Sequence, residues 1–187
     1  MSMDSTDFVA QLRDHYVDQF LEFAERQRKD STKGASEVKL QLSDESGIFD
    51  HLYCVDYIKN EPPEIVELQP ENILTFDPIS GGFGKSSLLI EHLRWDDVII
   101  YHDVDKLPDL ELSQWFTKWF DPKDTRHNAD SEVGDVIHSL VVGPKSVNID
   151  FGTSQPTAFW DMLALLEAAK ATSIRITSST ADSSVDP

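Results

Sequence analysis

The chain has 187 residues, and 16 Lys and Arg against 34 Asp and Glu give a formal charge of −18. Nucleic-acid binding needs a basic face to displace counterions from phosphates, and an anionic membrane surface repels so acidic a chain, so neither is expected as a partner. The length suits one domain, and 40% hydrophobic with 10% aromatic residues suffices to fold it unaided.

The first element is an amphipathic helix over about 7–28. Ser5, Thr6 or Asp7 can cap it, and Phe8, Leu12, Tyr16, Phe20, Phe23 and Ala24 recur at three-to-four spacing. Arg26, Arg28 and Lys29 sit in its last turn, where cations offset the helix dipole, and Lys33-Gly34 ends it. Val38, Leu40 and Leu42 then alternate with polar residues as in a half-buried strand, and a turn over 43–47 leads to a second strand over 52–58. The only cysteine, Cys54, lies in that second apolar run; it has no partner for an internal disulfide and reads as a small buried side chain. Pro62-Pro63 punctuates, residues 64–68 are ambiguous, and 73–76 read as extended. Beyond a glycine-rich loop at 81–84 come strands over 87–93 and 97–102, the latter with the buried-strand run Val98-Ile99-Ile100-Tyr101.

Leu112, Trp115, Phe116, Trp119 and Phe120 mark a helix over about 109–120, capped by Asp109 and stopped by Asp121-Pro122. A polar loop follows over 121–134, then a hairpin of strands over 136–142 and 147–151. Pro156 falls in the first turn of a buried helix over about 155–169, and Ile174-Arg175-Ile176 closes the fold as a strand. Residues 179–187 read as a disordered tail. The pattern predicts a single α+β domain, a mostly antiparallel sheet of about six to eight strands covered by three helices, with the segment 147–176 able to add one parallel pair. The N-terminus lacks a basic start followed by an apolar core, and no stretch approaches the ~20 apolar residues of a membrane span, so a cytoplasmic location is expected.

Several motifs bear on chemistry. Gly81, Gly82, Gly84 and Lys85 resemble a phosphate-binding loop, but such a loop needs a first glycine where Ile79 stands, and a hairpin turn accounts for the glycines better. Asp150-Phe151-Gly152 echoes the kinase metal-binding triplet without the other kinase motifs or the length of two lobes. Asp77, His102, Asp103 and Asp105 have the right donors for a divalent metal, although a solvated strand end explains them too. His138, between Val136 and Leu140, reads as a core histidine satisfied by one hydrogen bond. Trp115 and Trp119 would form an interface, and a homodimer through it, if their helix turned them outward; turned inward they fill the core.

Acidity is uneven. Residues 37–80 carry a net −8 and residues 81–135 a net −6, whereas the two ends carry −2 each. A solubility coat should be spread more evenly, so the clustering favours an acidic face for a basic partner. The leading expectation is a non-enzymatic, protein-binding role of inhibitor or immunity type without a cofactor. The alternative is a small enzyme, a metal-assisted hydrolase or a phosphate- or nucleotide-binding protein, using residues 77–105, with a divalent metal under that reading alone.

Overall fold

A computed structural model describes residues 5–31, 33–43, 45–126, 128 and 130–179; most of the expected tail, from 180 on, lies outside them. Three helices and nine strands build an α+β fold with two sheets, mostly antiparallel. Helix α1 (Ser5–Asp30) buries Val9, Leu12, Tyr16, Phe20, Phe23 and Ala24 along one stripe, which packs on the smaller sheet. Full burial of each large side chain there stabilises by roughly 1.5–3 kcal/mol.

The smaller sheet has the order β1-β2-β3, with β1 (Gly34–Gln41), β2 (Leu52–Asn60) and β3 (Pro63–Val66) all antiparallel. The larger comprises β4 (Ile79–Phe83), β5 (Ser86–Ile90), β6 (Val98–His102), β7 (Ser139–Val142), β8 (Ser146–Asp150) and β9 (Ser173–Thr177), in the order β4-β5-β9-β6-β8-β7. Its inner face is Ile90, Val98, Ile100, Val147, Ile149, Ile174 and Ile176, all buried, as period-two alternation requires. Helices α2 (Asp109–Phe120) and α3 (Pro156–Ala168) cover that face, with Phe83 stacked on Trp160 and Trp95 against Phe159. The two sheets meet where the Cys54 N–H donates to the His138 carbonyl at 2.7 Å and Ile48 bridges Val141.

The expected single sheet is thus divided into three and six strands. Residues 73–76 are not a strand, whereas the glycine-rich stretch is one, β4. The parallel pair is β5–β9; β6 lies between β8 and β9 and pairs antiparallel with both, so those two never touch as neighbours. Gly84, at φ +57, takes the first position of the two-residue turn joining Phe83 to Ser86, a conformation that glycine adopts without a Cβ penalty. Helix α2 ends as expected at Asp121, whose φ of 50 is left-handed and whose carboxylate accepts from the Thr125 and Arg126 N–H groups.

Candidate functional site

Residues 60–84 contain Glu61, Glu64, Glu67, Glu71 and Asp77 and no Lys, Arg or His. This one stretch supplies an edge strand to each sheet, β3 to the smaller and β4 to the larger. Between the two strands the chain runs along α1. The Asn72 carbonyl accepts from His15 Nε2 at 2.7 Å and from Gln19 Nε2 at 3.1 Å, and Phe76 packs edge-on against Phe8 at 4.6 Å. Asp18 and Glu22, each three residues beyond His15 and Gln19, extend the acidic surface onto the helix. Among the described residues, Ile65 (50% exposed), Ile73 (48%) and Leu74 (43%) make up half of the strongly exposed large apolar side chains, and all three fall here. Among the described residues Lys33 pairs with Glu61 at 2.8 Å and Lys59 with Glu64 at 3.6 Å, and Arg94, held by Asp96 at 2.7 Å, lines a crevice with Ile73 and Leu74. The result is an exposed apolar strip rimmed mainly by carboxylates, with Arg94 beside Ile73 and Leu74.

Glu67 and Leu68 tie this strip to a buried polar network. The Asp56 N–H donates to Glu67 Oε2 at 3.3 Å, and the Leu68 N–H donates to Asp56 Oδ2 at 2.6 Å. Asp56 Oδ1 lies 3.0 Å from His138 Nδ1, a charge contact rather than an aligned hydrogen bond. On the other side of the ring, His138 Nε2 meets Glu37 Oε1 at 3.1 Å. Glu37 also accepts from the Gly134 N–H at 2.6 Å and from the Thr153 hydroxyl. Asp150 Oδ2 stands 3.9 Å from Nδ1, and Gly152 donates its N–H to the other Asp150 oxygen at 2.8 Å. Gly152 has to be glycine: its φ is +50, and a Cβ there would lie 2.2 Å from the imidazole.

Burial opposes charge on His138, but the carboxylates of Asp150, Asp56 and Glu37 outweigh it and hold the imidazole well above its ordinary pKa. Burial also opposes charge on Asp56, yet His138 and the Leu68 N–H keep that carboxyl below the usual range. Two further carboxyls respond the other way. Burial, then repulsion from Asp56, pushes Glu67 up to about 7, while burial outweighs His138 and lifts Asp150 to about 7. An imidazolium 1% exposed, with a carboxylate at each nitrogen, has no free nitrogen to offer a substrate. Its chemistry is cohesion: it neutralises acids from β1 and β2 where the sheets join.

Of the residues singled out from the sequence, Asp77, Gly81, Gly82 and Gly84 fall in the 60–84 stretch and the others lie outside it. Gly81 and Gly82 sit within β4, and Gly84 and Lys85 form its turn, which leads into β5 rather than a helix N-terminus. The Lys85 N–H donates to Glu167 of α3 at 3.3 Å, so a carboxylate already faces the loop. Asp77 is exposed at the end of the acidic strip, far in sequence from Asp103, which accepts from Thr172, and from Asp105, which pairs with Lys145 at 2.8 Å. His102 is buried with both ring nitrogens unpartnered. Among the described residues no group of three or more His, Cys, Asp or Glu is arranged to hold a metal ion. Trp115 and Trp119 turn inward, each 5% exposed, with their Nε1–H groups donating to the Ala158 carbonyl and to Asp161. Trp115 floors a groove of about 390 Å³ between α2 and α3, with Leu165 and Ala169 on its wall.

The sequence missed two features. Composition hinted at the cation-free stretch through the net −8 of 37–80, but only topology shows that it holds both sheet edges. Nothing local announced the partners of His138, which come from β1, β2 and the end of β8. No helix of the described residues is long and apolar enough to cross a membrane. Compared with protein-family models, curated proteins and solved structures, the chain gives no match, so geometry alone carries the functional reading.

Proposed function

We propose that this chain is a non-enzymatic cytoplasmic protein that binds a basic protein through the surface formed by residues 60–84 and the adjoining face of α1, in an inhibitor- or immunity-type role. One observation carries the reading: Ile65, Ile73 and Leu74 are exposed among five carboxylates with no cation in the stretch. Apolar side chains supply burial on association, and a single sign of charge speeds encounter with an opposite partner while rejecting acidic ones. The single thiol, buried and pushed up to about 12 by desolvation, fits a reducing compartment in being unreactive there.

The test is capture by the immobilised chain at about 20 mM and about 300 mM salt, across which the screening length shortens severalfold. A basic protein, identified by mass spectrometry, should be retained at low salt and released at high salt. Retention indifferent to salt, or of acidic proteins only, would contradict the proposal.

A further inference from the structure

The two edges in the cation-free stretch are not equivalent. β3 has four residues, opens on Pro62-Pro63 and carries Glu64 beside Lys59, and both proline and charge deter further strand pairing. β4 has five residues with no proline and no charged side chain. A Cβ at Gly81 would meet nothing within 4 Å, and one at Gly82 only the Ser86 carbonyl at 3.8 Å. The remaining edges are occupied: β1 reaches the 121–135 loop through Glu37 and Lys39, and β7 meets Ile48. Among the described residues β4 is the one edge strand free of proline and charged side chains that has no bridge partner on its open side, with Pro78 just before it and Lys85 in its turn.

Register says which groups are free. The turn sets Phe83 opposite Ser86, Gly81 opposite Leu88 and Ile79 opposite Ile90. In a two-residue hairpin the closing pair exchanges ladder bonds and the bonded pairs then alternate, so the N–H and C=O groups of Ser80 and Gly82 point away from β5.

We propose that β4 takes an extended, cationic segment of a basic protein as a seventh strand of the large sheet. This rests on the function proposed above and names its mode. Backbone bonds to Ser80 and Gly82 would hold the strand, and the approach is flanked by Asp77 before β4 and by Glu167 and Lys85 at the turn, two acids to one cation. Charge decides the occupant. A second copy would bring a further −18 to the same edge, whereas a Lys- or Arg-bearing strand meets complementary charge.

The probe is a capped octapeptide of alternating Lys and Val, with a Glu–Val octapeptide as control, added to the full chain. Amide exchange by NMR should show protection rising at least about tenfold at Ser80 and Gly82 with Lys–Val, little change at the already bonded Gly81, and no effect of Glu–Val. Ser80→Pro, which deletes an outward N–H, should weaken the peptide roughly tenfold, and Ser80→Ala should bind as the native chain does. Unchanged exchange of Ile100 and Ile176 shows that the variant is folded; should it not be, Ser80→Lys keeps the backbone, sets a like charge on the edge and should also weaken binding. No binding by Lys–Val, binding without protection of Ser80 and Gly82, or a dimer of this chain protecting the same amides would each overturn the proposal. If Lys–Val binds, is lost on neutralising Glu64, Glu71 and Asp77, yet leaves Ser80 and Gly82 unprotected, strand addition fails while the acidic-surface reading stands.

Discussion

The carboxylates around His138 and those of residues 60–84 are the same chemical group in opposite surroundings. Inside, Asp56 and Glu37 each face a nitrogen of one imidazole, and their remaining oxygens accept from Leu68 and Gly134. Outside, Glu71 and Asp77 stand exposed beside Ile73 and Leu74 in a stretch without a cation. The inner acids hold the sheets together, so their loss should be felt in stability. The outer acids contribute little to folding, so their loss should be felt in binding. Glu67 belongs to both regions, because its residue lies on the exposed strip while its carboxyl touches the Asp56 N–H.

The largest expected effect is from His138→Ala. Removing the only cation between two buried carboxylates should cost about 3–5 kcal/mol, read as a lowered denaturant midpoint or loss of the cooperative transition. A change under about 1 kcal/mol would mean that the network does not bind the sheets. Gly152→Ala comes next. Its methyl would collide with the imidazole at a left-handed φ, for an expected loss of about 1–3 kcal/mol in the same measurement.

The pH profile sharpens the contrast further. Asp150 and Glu67, raised to about 7, hold protons in the fold that the unfolded chain has released, so their contribution falls as pH rises from about 4 through 7. His138, also raised, contributes fully below its unfolded value near 6.5 and loses that contribution as pH climbs through its folded value. Asp56, lowered, acts in the opposite sense and only in acid, its contribution disappearing as pH drops below about 4. Melting temperature should therefore decline from mildly acidic to mildly alkaline solution. Self-repulsion of an acidic chain acts in the same direction, so Asp150→Asn is the informative comparison and should flatten the slope. An unchanged slope in that variant would remove Asp150 from the decline and leave it to Glu67, His138 and net charge.

The smallest stability effect belongs to the outer region. Replacing Glu64, Glu71 and Asp77 by Gln, Gln and Asn should leave unfolding within about 0.5 kcal/mol per site, since none of the three lies in the buried network. A larger loss would make the strip structural.

How much of this could be read from residues alone follows the range of the forces involved. Helix α2 was legible because Leu112, Trp115, Phe116, Trp119 and Phe120 repeat at helical spacing, and β6 because Val98-Ile99-Ile100 is an unbroken apolar run. β4 was not, since Gly81 and Gly82 are poor strand formers and the neighbouring β5 supplies the pairing that makes them one. The division into two sheets depends on where the strand segments meet, at Cys54 and His138, which lie 84 positions apart. The alternation Val136, His138, Leu140 revealed that the histidine is buried, but not that carboxylates from β1 and β2 would converge on it. For the candidate surface the charge census pointed to 37–80, while the exposure of Ile65, Ile73 and Leu74 required the fold.

The central claim is that position, not total charge, makes residues 60–84 the binding surface. Two variants of equal net charge test it most directly: one with Glu61, Glu64, Glu71 and Asp77 neutralised, the other with Asp109, Glu111, Asp130 and Glu132 neutralised. Affinity for the captured basic partner, measured by titration calorimetry at low salt, should fall at least about tenfold, 1.4 kcal/mol, in the first and change little in the second. Equal losses in the two would contradict the account, reducing the acidic stretch to one part of a diffuse charge.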